Sequence, residues 1–236
     1  MTAKSQNLTR RVFLKQSAAA ALLAGGLGAG FSPQVVAQSK SNKRKMLPKP
    51  SPMIPPVPAI LLTVKGDETV PDEITVVWTF VLNSHPPQIG ISVHDDHVAL
   101  GLIKKHGEFV LNVPTAAMAN SFDRVDMNSK KVLDKFELSG LTRGKATKVA
   151  APTIEESPIQ VECKVFNTIV MPPVRTLFLA EVLATSVHES ACTDDGQLIV
   201  ANVPFFGMTV GSGEFYTMGK QVGHIGQSVG RDDIKY

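Results

Sequence analysis

Four consecutive residues, His94-Asp95-Asp96-His97, bring together side chains that bind metals, hold protons and contact anions. Imidazole nitrogens and carboxylate oxygens are both ligands of Zn²⁺. Adjacent side chains do not converge readily on one ion, and the chain has no Cys/His spacing typical of a metal site, so we expect none. Two compatible interpretations stay open. Asp95 or Asp96 caps the helix that follows, and His97 supplies a donor or a pH-dependent charge to a phosphate.

The elements that must position these residues are mostly β-strands, because runs rich in Val, Ile, Leu and Thr alternate with turn residues. The run after His97 has the apolar spacing of a short amphipathic helix, and Gly107 ends it. A second helix is expected from Thr115, with that residue as its cap. Many strands and few short helices predict a mainly β fold, a closed or half-closed barrel, with a β-sandwich as the alternative. The expected strands are 59–66, 73–82, 88–94, 108–113, 159–170, 176–189 and 198–206.

Residues 1–37 have the pattern of an export signal. Arg10 and Arg11 precede a short Ala/Leu/Gly-rich run, which is too short and too rich in glycine to anchor stably in a bilayer. This order is typical of a twin-arginine signal peptide. Small residues at 35–37 predict cleavage before Gln38, and export to the periplasm or otherwise beyond the inner membrane.

Residues 38–55 form a basic, Pro-rich linker by composition. Nine of the 24 Lys and Arg residues precede Ser51 and none of the 21 Asp and Glu residues do, so the formal net charge of +3 becomes −6 from Ser51 onward. Nothing in this acidic body resembles a nucleic-acid surface. Residues 56–236 are enough for one domain with a full core, and they contain no transmembrane stretch.

The two cysteines stand in different surroundings. Cys163 lies in a strand pattern, which favours a buried, apolar role, and Cys192 lies in a turn-like loop. An exported protein can form disulfides, so whether the two residues pair stays open.

Five stretches carry a family resemblance, and their order and spacing agree with it. Together they resemble the flavin reductase-like family, in particular its flavoredoxin branch, over roughly Pro56 to Gly223. The resemblance implies a split β-barrel that dimerises and binds FMN near the dimer interface. Some members are NAD(P)H-dependent flavin or ferric reductases. The stretches are "PPQIGISV", "HGEFVLNVP", "LDKFELSGLT", "KVAAPTIEESPIQVECKV" and "TLFLAEV".

The resemblance also implies where a flavin would bind. Its ring would pack against residues 75–81, and its phosphate would lie at the start of the helix after the third strand, where free N–H groups and the helix dipole favour an anion. Lys135, in the "DKF" motif, would be a further residue near an anion, with an ordinary surface lysine as the alternative. The implied cofactor-binding residues are Thr75, Val77, Trp78, Thr79, Ser92, Asp96, His97, Ala99 and Lys135.

The chain departs from the family pattern at this site. Family members commonly have an Arg and a Thr at the helix start, where this chain has Asp96-His97 and Ala99. A small hydroxyl residue is frequent at the position of Val77. A carboxylate about 5 Å from a phosphate repels it by roughly 1 kcal/mol in a medium of intermediate dielectric constant. Trp78, the one tryptophan, would either border a flavin ring or anchor a core or interface.

The expected function is therefore an exported, homodimeric, FMN-binding redox protein. Free NAD(P)H is not expected outside the inner membrane, so a periplasmic electron-transfer protein is the favoured partner. Chemistry at a flavin belongs to the cofactor, and the protein positions and tunes it. The alternative is a non-catalytic binding module on the same fold, with the phosphate cradle lost and another ligand or none bound. The sequence leaves open whether the protein is an enzyme.

Overall fold

The computed structural model describes residues 44–52, 54 and 56–231. The expected signal peptide and residues 38–43, 53 and 55 of the expected linker lie outside the described residues. Contacts along the chain separate a unit that ends at Pro48 from one that begins at Lys49. All helices and strands described below belong to the second unit. No helix in the described ranges is both long and apolar enough to cross a membrane.

Seven antiparallel strands form the main sheet, in the order β3-β2-β6-β9-β10-β5-β4. The edge strands β3 and β4 are separated in the chain only by Val77. Because one residue joins the two edges, the sheet must curl round on itself, which is the geometry of a split barrel. The strands are β2 (Leu61–Val64), β3 (Glu73–Val76), β4 (Trp78–Ser84), β5 (Pro87–His94), β6 (Glu108–Val113), β9 (Ile159–Met171) and β10 (Arg175–Val187).

Short strands and helices complete the domain. A small sheet joins β1 (Val57–Pro58), β11 (Phe206–Met208) and β12 (Phe215–Thr217), and another joins β7 (Arg143–Gly144) and β8 (Thr153–Ile154). The α-helices are α1 (Val98–His106), α2 (Ala119–Asp126) and α3 (Lys135–Ser139); single 3₁₀ turns lie at Ala116–Met118, Glu189–Ala191, Val200–Asn202 and Gln227–Val229.

Two apolar clusters lie on the two faces of β2 and β3, as alternation of side chains along a strand requires. Leu62 and Val64 belong to the cluster inside the barrel, together with Ala99 and Ile103 of α1. Leu61 and Ile74 belong to the second cluster, which α2 and α3 cover with Phe122, Val125 and Phe136. Helix α1 therefore closes one end of the barrel, and its first turn lies at the rim.

The predicted fold class is confirmed: the chain is mainly β, with few short helices, in a split barrel. The strand expected at 73–82 is two strands, because the ladder changes partner at Val77. The strand expected at 198–206 is wrong, since the chain forms a 3₁₀ turn at Val200–Asn202, only isolated bridges at Leu198 and Phe205, and a strand from Phe206 onward. There the buried Val203 and Phe205 pack in a separate cluster, so local burial prevailed over strand propensity.

Candidate functional site

The start of α1 is held to strand β3 by two side chains. His97 is the N-cap residue of α1 by its backbone geometry, and its side chain makes no capping bond. Instead, His97 Nδ1 lies 3.1 Å from Thr75 Oγ1, in hydrogen-bond contact. Burial, together with the nearby His94 and Arg175, lowers the pKa of His97 from 6.5 to about 4. The imidazole at the barrel rim is therefore neutral at pH 7.

The two aspartates of the stretch do not cap the helix, so that expectation is wrong. Asp95 accepts a hydrogen bond of 2.9 Å from Thr176 Oγ1 of β10. Asp96 forms an ion pair with Lys130, and its carboxylate also contacts His94 Nδ1. The bond to Lys130 holds the pKa of the Asp96 carboxyl below its usual range. Tertiary partners thus replaced the local backbone N–H groups as donors, and Asp96 is already neutralised.

Two cations that sequence reasoning did not select lie at this rim. Lys130, from the loop after α2, pairs with Asp96. Arg175, the first residue of β10, lies opposite His94 in the strand pairing. Its guanidinium carbon is 3.8 Å from the centroid of the Trp78 ring, and its Nη1 donates 3.3 Å to the Ser92 carbonyl. The positive charge missing from the helix start is therefore supplied by two other segments.

Trp78 and Ser92 are brought together directly, as partners across β4 and β5. Both are half-buried, and the Arg175 guanidinium covers the indole ring. A cation over an aromatic face contributes about 0.5–1 kcal/mol at an exposed site. The arrangement fixes a positive charge on one face of an aromatic ring.

Lys135 is not a surface residue, so that alternative is wrong. Its side chain is completely buried and forms an ion pair with Glu73 of β3, also completely buried. Burial raises the pKa of Glu73 to about 7, against the opposing effect of Lys135, and burial lowers the pKa of Lys135. Helix α3 holds Lys135 in place through its cap, Asp134, which accepts hydrogen bonds from the backbone N–H groups of Phe136 and Glu137.

Three predicted site residues turn their side chains elsewhere. Val77 and Ala99 are buried in the barrel cluster, so any contact they make with a ligand involves their backbone. The methyl group of Ala99 faces the core. Thr79 donates its hydroxyl 3.0 Å to the Gly90 carbonyl across the β4–β5 pair.

Other candidate chemistry is absent from the described part of the chain. No group of three or more His, Cys, Asp or Glu side chains there is arranged to hold a metal ion. Cys163 is buried, as expected, and Cys192 is partly buried; neither forms a disulfide. An apolar cavity of about 280 Å³ between β1, β11 and the end of β6 contains none of the predicted site residues.

The residues at the rim fit a ligand that has a planar ring and an anionic group. Arg175 provides positive charge and, stacked on the half-buried Trp78, a planar surface; Lys130 is paired with Asp96; and the neutral His97, anchored by Thr75, provides a hydrogen-bonding group. The sequence signal for Arg175 was weak. Only the strand register, which pairs it with His94, places it at the site.

Comparisons with known proteins agree with this fold. Residues 55–202 match the family model described as "Flavin reductase like domain". An uncharacterized protein of Pyrococcus abyssi is 32% identical over 130 residues, which is 55% of this chain and 74% of that protein.

Solved structures of two flavoredoxins are similar over most of the chain. The flavoredoxin of Desulfovibrio vulgaris (Miyazaki F) is 26% identical with a TM-score of 0.71, and the match covers 78% of this chain and 97% of that one. The flavoredoxin from Methanosarcina acetivorans is 23% identical with a TM-score of 0.70, and the match covers 80% of this chain and 100% of that one. By its sequence match and its split-barrel fold, this chain belongs to the flavin reductase like domain family.

Proposed function

We propose that this protein binds FMN at the rim formed by β3, β4, β5 and the start of α1, and that it is a flavin-dependent redox protein. The observation that carries the proposal is the position of Arg175, which stacks on Trp78 and bonds the Ser92 carbonyl. In a member of the flavin reductase like family, that pairing of cation and aromatic ring suits a flavin. A bound flavin would supply the capacity to accept and donate electrons or hydride.

The chain's own residues would hold the cofactor as follows. Arg175 would attract the phosphate, and so would Lys130 once the phosphate displaces its partner Asp96. Thr75 and the neutral His97 would offer hydrogen-bonding groups without adding charge. The backbone at Val77, where the ladder changes partner, would be the closest approach to a ring edge.

We further propose that two copies pair through the outer face of β4, β5, β10 and β9. Residues directly opposite in antiparallel strands share a face, and the strand pairing places Trp78, Ser92, Leu177 and Ile169 in one row. Phe80, Ile169 and Met171 on this face are 43%, 39% and 49% exposed. Several neighbouring apolar side chains in water are typical of an interface. A site beside Trp78 would then lie near the second copy.

Export and a periplasmic electron-transfer partner are part of the proposal. They are supported by the twin-arginine pattern at residues 10–15 and by the expected lack of free NAD(P)H outside the inner membrane. A tightly held flavin, exchanging electrons with another protein, would fit that location better than turnover of free nicotinamide.

Spectroscopy of the full chain tests cofactor binding. The visible spectrum of the purified protein should show the flavin absorption bands, and the stripped protein should bind FMN with quenching of the fluorescence of Trp78. FMN should bind more tightly than riboflavin, because only FMN carries the phosphate. A colourless protein that binds neither flavin would contradict the proposal and favour a non-catalytic binding module. FMN binding no tighter than riboflavin would show that the rim does not recognise the phosphate.

A further inference from the structure

A buried acid lies next to the candidate flavin site, on the same strand as Thr75. Glu73 and Thr75 are two residues apart on β3, so their side chains share a face. Glu73 pairs across the ladder with Val64, and Thr75 with Leu62. Because Val64 and Leu62 belong to the barrel cluster, Glu73 carries its carboxyl group into the apolar interior.

The carboxyl group of Glu73 is only half satisfied. Its Oε1 bonds Lys135 Nζ, while its Oε2 is buried without a hydrogen-bond partner among the described residues. Among the ion pairs of the described residues, Glu73–Lys135 is the one in which both side chains are completely buried. Taking two charges out of water costs several kcal/mol per ion, and an unpaired buried oxygen adds about 1–3 kcal/mol. Close packing of the core does not require a buried ion pair with an unpaired oxygen at this position.

Few other charged groups face the Glu73–Lys135 pair. Helix α1 presents the neutral His97, which is close enough for Lys135 to lower its pKa. Helix α3 presents Lys135 itself, and β2 presents the apolar Val64. Helix α2 packs on the opposite face of β3 through Phe122 and Val125. The neighbouring Asp72 is turned toward Lys65 and Arg143, which are paired with it.

A proton on Oε2 would remove the buried negative charge of the carboxyl group. The protonated carboxyl group would be neutral, and Lys135 would keep its charge, so the net charge of the pair would rise from 0 to +1. Burial raises the pKa of Glu73 to about 7, which brings this change into the ordinary pH range. Two sites that each favour the other's occupancy are linked reciprocally, so an anion at the rim and a proton on Glu73 would support one another.

We propose that Glu73 and Lys135 form a buried proton-binding pair behind the candidate flavin site, which takes one proton from solvent onto Glu73 Oε2 and thereby strengthens the binding of an anionic ligand at the rim. The anionic ligand is FMN in the proposed function, and the coupling half of this inference rests on that function. The proton site itself does not depend on any ligand.

The first arm of the test uses the full chain without flavin. Infrared difference spectra between pH 8 and pH 5.5 should contain the band of one protonated carboxyl group that is missing from the Glu73→Gln variant, with a midpoint well above that of free glutamate. His94→Asn serves as a control that removes an imidazole from the rim and keeps the band. The absence of a Glu73-dependent band between pH 8 and pH 5.5, which is the result for a glutamate with the ordinary pKa of about 4.3, would overturn the proton site.

The second arm measures dissociation constants of FMN and riboflavin across the same pH range. Wild-type affinity for FMN should rise about fivefold as the pH falls through the Glu73 midpoint, the size expected for one charge about 10 Å away in a medium of dielectric constant between 20 and 80. Glu73→Gln should lose this rise. The second ionisation of the phosphate, near pH 6, affects both proteins equally, and riboflavin, which lacks the phosphate, should show a smaller rise.

The two arms separate the two proposals. A high carboxyl midpoint in a protein that binds neither flavin would leave the proton site standing and defeat the proposed function. Identical pH profiles for FMN in wild type and Glu73→Gln would overturn the coupling. If Glu73→Gln does not fold, Lys135→Arg keeps the charge and moves it, and the carboxyl midpoint should shift; an unchanged midpoint would show that Lys135 does not govern it.

Discussion

Thr75 Oγ1 and His97 Nδ1 lie 3.1 Å apart, and this contact joins strand β3 to the N-cap of helix α1. The two residues are 22 positions apart in the chain. The contact holds the His97 side chain against the barrel. Residues 94–97, whose side chains suggested a metal site, therefore lie at the rim of the barrel, where the hydroxyl group of Thr75 holds His97.

The stability of the protein should depend on His97 at mildly acid pH. The folded-state pKa of about 4 lies below the ordinary value of 6.5, so the unfolded state binds a proton first as the pH falls. The stabilising contribution of neutral His97 to the free energy of unfolding is present above pH 6.5 and is lost as the pH falls from 6.5 to 4. It is at most about 3 kcal/mol, at 1.36 kcal/mol per pKa unit.

Urea unfolding of wild type and His97→Gln at pH 7.5, 6 and 4.5 measures this contribution. The difference in free energy of unfolding between the two proteins should shrink as the pH falls. Glu73 contributes with the opposite sign, since its pKa is raised, but equally in both proteins, so it cancels in the difference. His85→Gln, at an exposed position, is the control. A pH-independent difference would contradict the burial of a neutral His97.

Removing the Asp96 carboxylate should strengthen FMN binding selectively. Asp96 neutralises Lys130, so Asp96→Asn frees a cation at the rim. We expect FMN to bind about fivefold more tightly, the effect of roughly 1 kcal/mol, while riboflavin binding stays the same. Asp194→Asn removes the same charge from an exposed loop and is the matched control. Equal gains for both flavins, or none for FMN, would place the phosphate elsewhere.

Arg175 should be needed both for FMN affinity and for the environment of Trp78. Arg175→Met removes the charge and the hydrogen bond to Ser92 but keeps much of the volume. We expect FMN affinity to fall by about fivefold to tenfold, from the loss of roughly 1 kcal/mol. Because Trp78 is the sole tryptophan, its emission reports the change directly. Arg175→Lys should recover part of the affinity and little of the emission, since Lys lacks the planar guanidinium.

Breaking the buried pair should destabilise the protein more than replacing it. Lys135→Met leaves Glu73 buried without its partner, which should lower the free energy of unfolding by about 3–5 kcal/mol. Glu73→Leu combined with Lys135→Met should recover most of this loss, because an apolar pair carries no desolvation penalty. Thermal and urea unfolding of the two single variants and the double variant give the coupling energy. Additive losses would mean that the two side chains act independently.

A charge on the outer sheet face should disrupt the proposed dimer. Ile169 lies in the row that contains Trp78 and is 39% exposed. Ile169→Lys should convert a dimer to a monomer in sedimentation velocity experiments, because an interfacial ammonium group loses its hydration without a partner. Val222→Lys makes a matched change at a residue that is 99% exposed, and it should leave the mass unchanged. A monomeric wild-type protein would contradict this interface.

The sequence by itself determined the class of fold and the location of its main elements. The alternating patterns around 88–94, 108–113, 159–170 and 176–189 became strands β5, β6, β9 and β10, and Gly107 ended helix α1 as predicted. These features are local, since strand alternation, helix periodicity and a left-handed glycine act through neighbouring residues.

Only the tertiary structure decided the chemistry of the rim. The sequence after His94 contains two carboxylates at the helix start, where family members commonly have a basic residue. The strand register nevertheless brings Arg175 beside His94, and a loop brings Lys130 to Asp96. Lys135 likewise depends on Glu73, a residue 62 positions away. Burial and charge pairing depend on which distant segments meet, and no periodicity in a single segment encodes those partners. The same packing places Glu73 in the barrel interior and makes it a candidate for holding a proton.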